Sequence, residues 1–187
     1  MNETLDLLRA RRSVAPHLLA PPGPSPEELD DLLRIASRVP DHGKLAPWRF
    51  IVIEGEARHR VGEAIGVSYR ADNPGADDIK VATEAGRLAR APLVVAVVAK
   101  GEPHVKIPDW EQFLSAGAVC MKLVIAANAM GYGTSWLTEW FAFDRRVLDA
   151  MGLGPRERIA GFIHIGRPTE RPADRPRPML ADIVTRL

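Results

Sequence analysis

Apolar residues along this chain recur at two spacings, one helical and one that fills short, nearly unbroken blocks. Residues 3–11 (ETLDLLRAR) put Leu5 and Leu8 on one face of a short helix. The loop APPGPSP (20–26) follows, and then Leu29, Leu32, Leu33 and Ala36 return at helical spacing. The start of this second helix is written in its residues. Ser25 is placed to be the N-cap, Pro26 the first helical residue, and Glu28 the other half of a capping box. VPDHGKLAPW (39–48) breaks the pattern with two prolines and a glycine. RFIVIEG (49–55) predicts a strand, and residues 56–69 and 77–90 predict helices joined by the loop RADNPGA.

The second half is more apolar. PLVVAVVAK (92–100) is rich in valine and predicts a strand buried on both faces. Residues 110–131 predict a helix apolar nearly all round, either central or buried between subunits, with Gly131 as its stop. YGTSWLT (132–138) predicts a turn and short strand, DRRVLDAMGLG (144–154) a small helix, and RIAGFIHIG (158–166) another strand. The proline-rich tail from Arg167 predicts an extended arm. Together these elements predict a layered α+β fold, with helices around a sheet of about four or five strands. No linker or repeat divides residues 1–187, so one domain is expected.

Composition removes several classes of function. With 25 basic and 24 acidic side chains the formal charge is +1, which argues against broad nucleic-acid binding. A single cysteine, Cys120, excludes an intrachain disulfide or a cysteine cluster, and its place in an apolar helix predicts an inert, packed thiol. No apolar run reaches about 18 residues, so no membrane span is expected. The start MNETLDLLRA lacks an apolar signal core, and the expected location is the cytoplasm. The five histidines show no metal-ligand spacing. There is no P-loop, no GxGxxG between strand and helix, and no GxSxG.

Three stretches remain. Arg11, Arg12 and Ser13 crowd two guanidinium groups and a hydroxyl at the end of a helix, which suits an anion, most often a phosphate; solvated cations at a helix C-terminus are the other reading. Asp41, His42 and Lys44 lie in a loop pinned by Pro40 and Pro47 and followed by Trp48. GYGTSWLTEW (131–140) offers glycines for close backbone approach, hydroxyls from Thr134, Ser135 and Thr138, and aromatic walls from Trp136 and Trp140; the same residues suit a hairpin with core aromatics.

In order along nearly the whole chain, an early RRS, a proline-bounded loop ending in PW, an AP-strand, an apolar helix ending in GYG, a tryptophan and a strand ending in IGRP resemble the nitroreductase family of flavoproteins. PDHGKLAPWRFIVIEGEAR and KIPDWEQFLSAGAV are most similar to its small, minimal NAD(P)H nitroreductases. The resemblance implies a central mixed sheet flanked by helices and a homodimer with FMN in each of two interface sites. It also implies hydride transfer from NADPH or NADH through the flavin to a nitroaromatic or quinone acceptor by a ping-pong cycle. It assigns Arg11, Arg12 and Ser13 to the FMN phosphate and ribityl chain, Arg38 and His42 to FMN from the other subunit, and Trp136, Leu137 and Thr138 to the flavin. Ala126, Ala127, Asn128, Ala129, Met130 and Gly131 fall in the stretch assigned to the nicotinamide nucleotide, although their pattern predicts buried helix. A late basic residue for the phosphate is Arg167, Arg175 or Arg177. The chain departs from the family pattern at His42, Gly43 and Lys44, where larger members carry an asparagine, and at Leu137, where the subgroup has arginine. A flavin-binding sensor or partner-binding module without turnover is the alternative reading, and flavin-dependent dehydrogenation or dehalogenation a third.

Overall fold

The computed structural model describes residues 2–187. Helix α1 (Glu3–Ala10) leads through a 3-10 turn to the two-residue strand β1 (Leu19–Ala20), and helix α2 (Pro26–Ala36) follows. The capping box at α2 forms as its residues dictate: Ser25 Oγ accepts from Glu28 N at 3.2 Å, and Glu28 Oε2 accepts from Ser25 N at 2.8 Å. The same Glu28 oxygen also accepts from the Tyr132 hydroxyl at 2.8 Å, so a local cap becomes a tertiary anchor.

Strand β2 (Trp48–Glu54), helices α3 (Ala57–Asp72) and α4 (Asp78–Ala85), and strand β3 (Leu93–Ala99) follow. Residues 77–90 are not one helix. α4 ends at Ala85, Gly86 takes the cap, and residues 86–90 form a 3-10 turn. Helix α5 (Asp109–Ala129), strand β4 (Gly133–Leu137), helix α6 (Arg145–Ala150), strand β5 (Arg158–Pro168) and a single helical turn, α7 (Leu180–Ile183), complete the chain. β5 therefore runs past residue 166 and takes in Arg167 and Pro168, which pair with Ala20 and Leu19 at the edge.

The sheet runs β1-β5-β3-β2, with β4 also on β5. Every pairing among the described residues is antiparallel, where the resemblance implied a mixed sheet. Side chains on β3 alternate between two cores. Leu93, Val95, Val97 and Ala99 face a layer built from α2 and α5, while Val94, Ala96 and Val98 face one built from α3, α6 and Phe141. Both faces are covered, which is why this strand reads as unbroken valine and alanine.

α5 is apolar and long enough to cross a membrane by length and composition alone. Here Ala116, Val119, Cys120, Leu123 and Ala127 pack into the core beside the sheet. Its first turns leave Trp110, Phe113 and Leu114 exposed, so burial is one-sided within the chain. The tail from Thr169 onward is exposed.

Candidate functional site

Residues far apart in sequence meet at the C-terminal end of α5. The backbone N–H of Val14 donates to Thr134 O at 2.9 Å, which ties the Arg11–Ser13 segment to the start of β4. Gly133 permits this approach. A Cβ there would lie 2.8 Å from Leu19 Cδ2 and 3.1 Å from Val14 Cγ2. This glycine therefore serves packing within the chain, and it also lines the cavity that forms here. Asn128, in the last turn of α5, donates its amide to Val124 O and Thr134 Oγ1, each at 2.8 Å. The result is a cavity of about 280 Å³ whose walls include Arg11, Arg12, Asn128, Gly131, Tyr132 and Arg171.

Positive charge concentrates here. The Arg11 guanidinium is held below its usual pKa, first by burial and then by repulsion from Arg177, Arg12 and Arg175. Arg12 donates to Ala173 O and lies 3.6 Å from Asp174, and Asp174 is 3.7 Å from Arg177. Counting Glu170 in the wall as well, arginines still outnumber carboxylates around the cavity. Crowded guanidinium groups of this kind are relieved by an anion, and their planar forks match phosphate. Arg167 takes a different part. It stacks on Tyr132 with its guanidinium carbon 4.1 Å from the ring centroid, and it donates to the tyrosine hydroxyl at 3.2 Å. Of the three late arginines, Arg175 and Arg177 are the two whose charge acts on Arg11.

Next along β4, Trp136 is 39% exposed and lies across Gly161. Its Nε1 donates to Ala160 O at 3.1 Å, next to a register shift between β3 and β5. Leu137 is half-buried and Thr138 exposed. Glu139 then adopts φ 57°, ψ 170°, a region that only glycine visits readily and that costs on the order of 1–3 kcal/mol. Its carboxylate is clamped by Arg87 at 2.9 Å and by Arg90. The segment 136–138 is thus fixed at both ends, by the sheet and by this ion pair.

The other predicted residues lie at the opposite end of α5. Arg38 is exposed at the head of the proline-bounded loop, and His42 meets α5 with its Nδ1 2.9 Å from Glu111 Oε2. Glu111, which His42 meets, and Asn128, at the arginine cavity, are 17 residues apart on one helix, about 25 Å. The two clusters of predicted residues are therefore separate within a single chain.

The family profile for nitroreductases matches residues 8–167. The chain belongs to the nitroreductase family. The Putative NAD(P)H nitroreductase YdjA of Escherichia coli K12 is 39% identical over 166 residues, covering 89% of this chain and 88% of the relative. A Putative NAD(P)H nitroreductase of Haemophilus influenzae is 33% identical over 170 residues, 90% of each chain. Among solved structures, a nitroreductase-like protein of Bacillus cereus superposes with a TM-score of 0.84 at 20% identity over 100% of this chain and 97% of that one. A putative nitroreductase of Desulfovibrio desulfuricans in complex with FMN gives 0.77 at 22% identity, over 100% and 98%. These structural likenesses show the same fold.

Within this nitroreductase fold, the stretch 126–131 is not a uniform buried helix. Ala126 and Ala127 are buried in the core, Asn128 and Met130 are half-buried, and Ala129 and Gly131 are exposed. α5 stops at Ala129, and Gly131 turns the chain at φ +82°. Of the six, Asn128 and Gly131 line the cavity. Ser13 is exposed beside Arg12. Cys120 is buried, and burial pushes its thiol up to about 12, far from a reactive thiolate. Residues that sequence reading passed over are Arg171 in the cavity wall, Glu139 behind the tryptophan segment and Glu111 opposite His42. Each lies among ordinary surface charges in sequence, and only tertiary contact distinguishes it.

Proposed function

We propose that this chain is an FMN-dependent NAD(P)H oxidoreductase acting on small aromatic acceptors of the nitroaromatic or quinone class by a ping-pong cycle. The observation that carries this reading is the convergence of Arg11, Arg12 and Arg171 at a cavity bounded by Asn128 and Gly131, with Arg175 and Arg177 adding positive charge toward Arg11. Several fixed cations suit a phosphomonoester of nearly two negative charges. The cofactors named in relatives support the same choice, since one structural neighbour is in complex with FMN and the sequence relatives are named NAD(P)H nitroreductases.

When bound, FMN supplies hydride chemistry that amino-acid side chains lack. The work of this chain is to bind and orient it. Arg11 and Arg12 hold the phosphate, with Ser13 toward the ribityl chain and Arg175 or Arg177 as a further cation. Trp136, Leu137 and Thr138 form a wall fixed by Ala160 and Glu139. Asn128 and Gly131 border the space where a nicotinamide nucleotide approaches. Arg38 and His42 act on the site of a second copy. The separation of about 25 Å between the two half-sites along α5 supports a homodimer, because pairing two copies through this helix brings His42 of one toward the arginine cavity of the other. Exposed Trp110 and Phe113 on α5, and Leu180 and Ile183 in the tail, give such a pairing apolar surface to bury. On this reading the chain acts as one domain in the cytoplasm, without nucleic-acid or membrane partners.

The purified protein is expected to show oxidised-flavin bands in its visible spectrum, or to gain them with added FMN. Anaerobic NADPH or NADH should bleach those bands rapidly. No flavin uptake refutes the proposal, while uptake without bleaching favours the sensor or partner-binding module.

A further inference from the structure

The loop before β2 is fixed more firmly than a surface connection needs. Gly43, Lys44 and Ala46 all have left-handed backbone, at φ +70°, +56° and +44°. The Asp41 carboxylate accepts from Leu45 N and Ala46 N, both at 3.0 Å, and Ser115 Oγ on α5 donates to Pro40 O at 2.5 Å. These bonds set the loop against α5 with His42 Nδ1 2.9 Å from Glu111 Oε2. The pair borders a cavity of about 300 Å³ whose other walls are Pro40, Leu114, Ser115 and Ala118. That volume is at the small end for ligand pockets and suits a single aromatic ring. A carboxylate only accepts, so at this distance the pairing calls for the proton on Nδ1 and leaves Nε2 as the ring nitrogen free to exchange a proton.

We propose that Glu111 is a positioning residue that holds His42 to deliver the proton consumed when a quinone acceptor is reduced. The proposal rests on the flavin reading above. The quinone takes one hydride, two electrons and a proton, from the reduced flavin, itself recharged by reduced nicotinamide. The second carbonyl oxygen takes a proton from Nε2–H of the His42 imidazolium. One O–H bond forms as the N–H bond breaks, the product is a hydroquinone, and solvent returns the proton to the imidazole.

Two measurements test this. In flavin-free protein with nitrogen-15-labelled histidine, NMR should find the neutral His42 protonated on Nδ1. Glu111→Ala should move that proton to Nε2, the nitrogen that free histidine prefers, and Glu111→Asp should restore it. An unchanged tautomer in Glu111→Ala overturns the positioning role whatever the flavin does. In the FMN-loaded protein reduced with NADPH, oxidation is then followed with benzoquinone and with ferricyanide, which accepts an electron and no proton. Glu111→Ala and His42→Gln should each lower the quinone rate at least tenfold relative to the ferricyanide rate. Equal loss with both acceptors overturns the proton-delivery role and leaves the flavin reading standing. Failure of the wild type to take up flavin overturns both.

Discussion

Arg11 and Arg12 show how much one pair of side chains can carry. Each charge-assisted bond to a phosphate contributes about 1.5–3 kcal/mol. Arg12→Ala should therefore weaken FMN binding roughly ten- to a hundredfold, read by fluorescence titration, while the melting temperature of the flavin-free protein moves little. Unchanged FMN affinity refutes the phosphate role. Gly161 is the opposite case, a residue that matters for what it lacks. A Cβ there would fall 2.0 Å from Trp136 Nε1, so Gly161→Ala must push the indole off the sheet. Overpacking of this kind costs about 1–3 kcal/mol, visible as a lower melting temperature with an altered tryptophan near-UV spectrum. Wild-type stability and spectrum in the variant contradict that geometry.

Between elements, the junction of α3 and α4 is unusually close. A Cβ on Gly62 would lie 2.3 Å from Ala85 O, a backbone atom that cannot rotate aside. Gly62→Ala should then destabilise by about 1–3 kcal/mol in urea unfolding, despite alanine's better helix propensity. The same region holds two titratable groups that set the acid response. Buried Glu84 is bound by Arg87, Trp140 and Lys80, and its carboxyl is pulled down to about 2, chiefly by Arg87. His164 on β5 is fully buried, its ring nitrogens make no hydrogen bond among the described residues, and burial pushes it down to about 4. Both groups bind protons more readily in the unfolded chain, so both reduce stability as pH falls. His164 acts between about pH 6.5 and 4, and Glu84 between about 4.5 and 2, each worth on the order of 3 kcal/mol. In urea unfolding at pH 7, 5.5 and 4.5, the wild type should lose stability steadily and His164→Leu should lose much less. Parallel decline of the two proteins refutes the assignment to His164.

For the whole molecule, the tail beyond Thr169 separates fold from site. It is exposed along its length, yet it brings Arg175 and Arg177 to Arg11. Removing residues 170–187 should leave far-UV circular dichroism and unfolding nearly intact while FMN affinity falls tenfold or more. Sedimentation should show the full chain as a dimer and the shortened one dissociating at higher concentration. A large loss of secondary structure, or unchanged flavin binding, contradicts that division.

What residues alone determined follows from short-range physics. Apolar spacing placed the helices and strands, Ser25 and Glu28 marked the start of α2, and the valine run of 92–100 announced a strand covered on both faces. The RRS crowding pointed to an anion because charge density is visible in sequence. Tertiary structure decided the rest. It split residues 77–90 at Gly86, made the sheet antiparallel, brought the charges of Arg175 and Arg177 toward Arg11 and stacked Arg167 on Tyr132. It also set Glu111 against His42 and Glu139 against two arginines. These are contacts between residues dozens of positions apart, and no local periodicity or propensity encodes which distant charge a side chain will meet.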